Sequence, residues 1–250
     1  MTVTELQLAD LDEDWSSALA IVAHPDDMEY GASSVVARWT SQGKRVAYVL
    51  ATSGEAGIDG MSPAEVGPLR EAEQRESCRL VGVSDVEFLG FPDGVIEYGL
   101  PLRRAFAGAI RRHRPDVVVT GNHRETYGGT MLNQADHIAN GRAVIDAIRD
   151  AANRWVFPDL LDAGLEPWGG VKYLLIAGSS TPTHAVNVDE HLAAGVASLR
   201  AHAAYLAGLG PGFPEPDEFL ESYARMAGAR VRCTFAVSFE VFRMGWDSIA

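Results

Sequence analysis

Between residues 18 and 150 the chain alternates short apolar runs with longer stretches of helical pattern, and this restricts its possible folds more than any other feature. The apolar runs are Ala18–Ala23, Val46–Ala51, Val86–Leu89 and Val117–Thr120. The helical stretches lie near Tyr30–Gln42, Leu69–Val81, Leu102–His113 and Ala135–Asn153. Short runs with no polar alternation read as strands buried on both faces. Strand–helix repetition of this kind builds right-handed βαβ units, with helices covering both sides of a largely parallel sheet. The expected class is α/β, a Rossmann-like three-layer α/β/α arrangement with a mostly parallel sheet.

A second portion follows. Trp155–Trp168 reads as a connector or lid, then come a strand at Tyr173–Ala177 and a long helix at Leu192–Leu206. A Pro- and Gly-rich loop, Gly208–Pro216, precedes a short helix and a final strand, Val231–Phe242, whose loose alternation fits a sheet edge. No repeat or low-complexity tract interrupts the chain. The expected organisation is one domain over 1–250, with a core of about 18–150 and a C-terminal α/β extension of about 151–250. Loops 53–68, 121–134 and 208–217 are long for a compact domain, which points to function.

Charge narrows the partners. A net charge of −13 argues against nucleic acid and against anionic membrane surfaces, both of which are bound by neutralising phosphate. No apolar run approaches the ~20 residues needed to span a bilayer. The acidic start "MTVTELQLADLDEDW" has neither the basic nor the apolar region of a secretory leader. Cys78 and Cys233 form no CxxC pair and read as small core residues. A cytoplasmic protein acting on a small molecule is expected, with a homo-oligomer left open.

The first apolar run ends in His24–Pro25–Asp26–Asp27, and in parallel sheets ligands bind beyond the carboxyl ends of the strands. Three readings compete. Asp26 or Asp27 caps the helix that follows, with His24 incidental. Alternatively, the two carboxylates work as acid and base. Or the cluster binds a metal: His24 and Asp27 converge on a dication that relieves the repulsion between neighbouring carboxylates, and Asp26 faces its water. A metal needs another ligand, and His137 in "NQADHIANG" is the candidate, because the fourth strand's loop emerges on the same sheet edge. Alone, His137 reads as a histidine at a helix start. His24, Asp27 and His137 together would leave a position open for water, as catalytic zinc does, with Asp26 as general base. Zinc suits the mixed imidazole–carboxylate set, one ion per chain, although another divalent metal would also be accepted.

With those residues in view, the chain resembles the N-acetylglucosaminyl-phosphatidylinositol deacetylase (PIG-L, LmbE-like) family. The resemblance rests on "AHPDD", "TSGEAG", "LREAEQRESCRLVGV", "LGFPDG", Asp136–His137 and "SLRAHAAYL", in the family's order over most of residues 18 to 206. It implies a zinc hydrolase that removes an N-acetyl group from an N-acetylglucosamine-type sugar or glycoconjugate. It also implies that His24, Asp27 and His137 hold the metal and that Asp26 is the base. By position, Arg70 matches a residue that contacts the sugar, its alternative being a helix arginine paired with Glu71 or Glu73. Glu55 matches a pocket residue or, equally, a turn carboxylate.

One departure stands out. Many relatives read HPDH where this chain reads Gln134–Ala135–Asp136–His137. Glutamine can donate a hydrogen bond to an oxyanion but supplies no proton near neutral pH. Proton delivery then falls to Asp26 or to a second histidine: His123, His184 or His202. Of these His202, in "SLRAH", comes first, its alternative being a structural role. Two other functions stay in view: an amidase acting on a larger thiol- or sugar-conjugate, and a non-catalytic carbohydrate-binding relative.

Overall fold

The structure is a computed structural model describing residues 7–210 and 212–245. Part of the acidic N-terminal stretch and one position of the Gly208–Pro216 loop lie outside the described residues. In chain order the strands are β1 (Ala9–Asp10), β2 (Ser17–Val22), β3 (Arg45–Leu50), β4 (Asp85–Phe88), β5 (Val117–Thr120), β6 (Thr126–Gly128), β7 (Met131–Leu132), β8 (Tyr173–Ala177), β9 (His184–Asn187) and β10 (Ala236–Arg243). The helices are α1 (Asp27–Gly31), α2 (Ser33–Ser41), α3 (Pro63–Leu80), α4 (Leu100–His113), α5 (Ala135–Ala152), α6 (Asp159–Asp162), α7 (Leu192–Arg200), α8 (Ala203–Gly208) and α9 (Pro216–Gly228).

One sheet joins both parts of the chain in the order β1-β9-β10-β8-β5-β2-β3-β4. β2 pairs in parallel with β3 on one side and β5 on the other, and β5 pairs in parallel with β8. The connection reverses direction between β2 and β5, which opens a crevice beyond their carboxyl ends. His24 follows β2, and the loop into α5 follows β5. All six residues of β2 are buried because each face has its own core. Ala18, Ala20 and Val22 pack with Trp39, Tyr48 and Phe239, while Leu19 and Ile21 pack with Phe106, Ile110 and Val144. The mostly parallel α/β class expected from the sequence is the one observed.

Five local expectations need correction. The helix expected over Tyr30–Gln42 is two, broken at Ala32, whose extended φ of −154° interrupts the ladder. α3 starts at Pro63, ahead of Leu69, because Ser62 and Glu65 form a capping box with Pro63 at the first turn. The Leu192–Leu206 helix breaks around His202 into α7 and α8. β10 is no edge strand: it pairs antiparallel with β8 and with β9. Nor is Trp155–Trp168 a lid. Leu160 is buried in the core and Trp168 donates its indole N–H to Pro115 O at 2.8 Å.

Candidate metal centre

The turn after β2 is held in a conformation that an ordinary residue avoids. Asp26 has φ 97°, left-handed backbone that costs a residue with a Cβ roughly 1 kcal/mol or more. α3 holds it there with two side chains one turn apart. Arg70 donates to Pro25 O at 2.5 Å and to Gly54 O at 3.0 Å. Gln74 accepts the Asp26 backbone N–H at 3.0 Å and passes its own amide N–H to Glu29 at 2.9 Å. The glycine of "TSGEAG" is explained by the same contact. Gly54 has φ 63°, and a Cβ there would collide with the Arg70 guanidinium.

Asp27 begins α1 and turns its carboxylate back on the strand end. Its Oδ2 accepts the N–H groups of Ala23 and His24, both at 2.9 Å. Its Oδ1 lies 3.0 Å from His137 Nε2, and His24 Nδ1 lies 3.2 Å from that same nitrogen and 3.8 Å from Asp27 Oδ2. Two nitrogens bound to one zinc at 2.0–2.1 Å in tetrahedral geometry stand about 3.3 Å apart, so the imidazole pair is spaced as zinc requires. The far nitrogen of each ring is engaged as well. His24 Nε2 faces Asp93 Oδ1 at 3.0 Å and Asp136 Oδ2 at 3.3 Å, and His137 Nδ1 lies 3.0 Å from Asn133 Oδ1. Outer hydrogen bonds of this kind fix the orientation of metal-binding histidines. The residues present therefore fit a divalent cation. His24, Asp93 and Asp136 also converge, but Asp136 already accepts the N–H groups of Gly94 at 2.7 Å and Ile96 at 3.0 Å. That second cluster is the support of the first.

The electrostatics agree. Burial opposes a charged His24 ring, yet Asp136, Asp27 and Asp93 outweigh it and push its pKa up to about 12. Burial opposes charge on His137 too, and Asp27 raises it. The cluster stabilises positive charge at one point. Burial pushes Asp26 up to about 6, against the pull of Arg70, whose Nη2 is 3.4 Å from Asp26 Oδ1.

The structure brings His24, Asp26, Asp27 and His137 together as read from the sequence, and revises the supporting residues. Arg70, for which a sugar contact was expected, lines the cavity but is 2% exposed and directs its guanidinium to two carbonyls and Asp26. Glu55 accepts the N–H groups of Ser53 and Asp93, a turn carboxylate holding the Asp93 loop. Gln134 occupies the N-cap position of α5 and lines the cavity. His202 is fully buried, 3.7 Å from Glu29, and lines no part of the cavity. His123 and His184 do not line it either. Sequence reading passed over Asp93, although "LGFPDG" contains it, and over Gln74. It also missed Tyr127, on the β6–β7 hairpin, whose hydroxyl is 3.0 Å from His137 Nδ1.

Comparison with known proteins follows the same lines. A family model described as GlcNAc-PI de-N-acetylase, PIG-L, matches residues 19–148. The diacetylchitobiose deacetylase of Thermococcus kodakarensis is 27% identical over 215 residues, covering 85% of this chain and 76% of that protein. The N,N'-diacetylchitobiose deacetylase structure from Pyrococcus horikoshii superposes with a TM-score of 0.83 at 22% identity, covering 95% of this chain and 87% of that one. The 4-carboxy-2-hydroxymuconate hydratase structure from Pseudomonas putida KT2440 gives 0.73 at 18% identity, covering 94% of this chain and 100% of that one. One fold thus serves deacetylase and hydratase alike, and the reaction has to be argued from the site.

Proposed function

The chain belongs to the PIG-L, or GlcNAc-PI de-N-acetylase, family, and from that premise we propose that it is a zinc-dependent hydrolase that removes the N-acetyl group from an N-acetylglucosamine-type sugar or glycoconjugate. One observation carries the reading: His24 Nδ1, His137 Nε2 and Asp27 converge as a metal's ligands, and the braced Asp26 is next in the chain. A zinc ion held by those three residues would polarise the amide carbonyl and acidify a water molecule.

The chain's own groups do the rest. Asp26 accepts the proton of the attacking water, a task suited to a carboxyl pushed up to about 6. As the C–N bond breaks, Asp26 returns that proton to the leaving nitrogen, so acetate and a free amino sugar are formed. Gln134 lines the cavity and offers amide N–H donors to the developing oxyanion without supplying a proton. The buried His202 stands behind this machinery and does not touch the substrate. Asp26 thereby also covers the acid role that the departure at Gln134 left open.

We place this activity in the cytoplasm. Among the described residues no helix is long and apolar enough to cross a membrane. The test is release of primary amine from a panel of N-acetylated amino sugars, with metal content measured on the purified protein and activity followed through chelation and zinc restoration. Amine release that tracks zinc supports the proposal. Absence of metal binding at His24, Asp27 and His137 overturns it, and metal binding without turnover of any acetamide favours the non-catalytic, carbohydrate-binding reading.

A further inference from the structure

Building on that deacetylase reading, we propose that the substrate is an N-acylated amino sugar carrying an uncharged apolar substituent, and that phosphorylated or carboxylated amino sugars are excluded. Three properties of the cavity support this. It has a volume of about 1100 Å3, above the ~300–1,000 Å3 of pockets that enclose drug-sized ligands, so a lone sugar ring leaves much of it unfilled.

Its walls differ in character. His24, Asp26, Asp27 and Asp93 line one side. The other is built by Tyr30 of α1, Leu209 and Phe213 of the loop after α8, and Phe219 and Tyr223 of α9. Their rings pack on one another, with Tyr30–Phe213, Tyr30–Phe219 and Phe219–Tyr223 centroids at 6.2, 5.3 and 4.7 Å. Phe219 and Tyr223 are four apart on α9 and share a face, while Leu220 and Ala224 on the next face are buried against Leu192 and Leu199 of α7. Phe213 and Tyr223 remain 46% and 52% exposed, an apolar surface continuous with the site and covered by nothing among the described residues.

Charge decides between substituents. Among the described residues that line the cavity there is no lysine, and the one arginine, Arg70, is committed to Gly54 O, Pro25 O and Asp26. Phosphates and carboxylates are recognised by arginine or lysine through charge-assisted hydrogen bonds. Here such a group would meet Asp26, Asp27, Glu29 and Asp93 and lose its hydration without a free lysine or arginine in return. An alkyl or aryl group would cover the exposed rings instead. Rejection of anions and acceptance of apolar groups thus come from one wall composition.

The experiment compares kcat/KM for N-acetylglucosamine, its 4-nitrophenyl and hexyl glycosides, its 1-phosphate, and N-octanoylglucosamine. At least one apolar member should exceed the free sugar by about tenfold or more, and the 1-phosphate should fall below it. The glycosides and the N-octanoyl compound tell whether the substituent hangs from the anomeric carbon or from the nitrogen. Phe213→Ala and Tyr223→Ala should each shrink the ratio of apolar to free sugar several-fold, through KM. Equal rates across the panel, or preference for the 1-phosphate, overturns this inference and leaves the deacetylase reading standing. No amine release from any member overturns the deacetylase reading. Calorimetric affinity of hexyl glucosaminide against glucosamine then decides the cavity's preference by itself, equal affinities refuting it.

Discussion

The side-chain carbonyl of Gln74 accepts the backbone N–H of Asp26 at 3.0 Å and pins the proposed base in left-handed backbone, φ 97°. Gln74 is 1% exposed and also donates to Glu29, so a leucine in its place leaves a buried N–H and a buried carboxylate short of partners. Gln74→Leu should lose about 1–3 kcal/mol of stability in urea unfolding. It should also lower kcat by about tenfold or more through misplacement of Asp26. Metal content should not change, since Gln74 touches none of His24, Asp27 and His137. A destabilised variant with kcat intact would show that Asp26 keeps its place without this bond.

Asp26→Asn separates chemistry from metal binding. Asparagine tolerates left-handed backbone nearly as well as any residue with a Cβ, so the turn persists. The amide cannot take a proton from water, and hydrolysis should fall by about 10²–10⁴. Zinc stoichiometry by elemental analysis should equal that of the parent. Retention of most activity would remove Asp26 from the proton transfer.

Asp93 faces His24 Nε2 at 3.0 Å, on the side of the ring away from Asp27 and His137. Its carboxylate steers the imidazole and makes it a better donor. Asp93→Asn keeps the shape and removes the charge, so zinc affinity measured against a competing chelator should drop by about 10–100-fold. Unchanged affinity would assign Asp93 only to its other contact, the Ala56 N–H at 2.8 Å.

The frame and the turn that starts the site were legible in the sequence for a common reason: both are local, and His137 was joined to them only through the sheet topology they imply. Strands buried on two faces announce themselves as unbroken apolar runs, and β5 falls where it was expected, at Val117–Thr120. His24 and Asp27 share one turn. What was not legible depends on contacts distant in sequence. Arg70 reads as a surface helix residue until Pro25, 45 residues earlier, is seen to receive its guanidinium. Asp136 supports His24 across 112 residues. β10 alternates like an edge strand, and only the sheet order reveals neighbours on both sides. The early start of α3 is a different case, since "SPAE" spells a capping box that the apolar spacing alone does not register.

Glu240 ties the hairpin loop to the sheet and gives the fold a dependence on pH. Its carboxylate receives Arg124 in a two-pronged ion pair, with Oε1–Nη2 at 2.7 Å, and Ser179 Oγ at 2.7 Å. Burial alone would raise its pKa, but Arg124 and Ser179 hold it below the ordinary carboxylate value. A depressed folded-state pKa stabilises the fold above the unfolded value, near ~4.3, and the benefit is lost as pH falls through the folded value. Glu240→Gln should therefore be less stable than the parent at pH 7, and the gap should close on acidification below about pH 4. Arg124 begins the segment that carries Tyr127 and Asn133, whose amide binds Asn122 O and Arg124 O at 2.7 and 2.9 Å. The variant should thus loosen the contact between Asn133 and His137 as well, and lower zinc affinity at pH 7. Denaturation midpoints from pH 3.5 to 8, with chelator competition at pH 7, check both effects. A gap that persists at low pH would assign the loss to packing instead of charge.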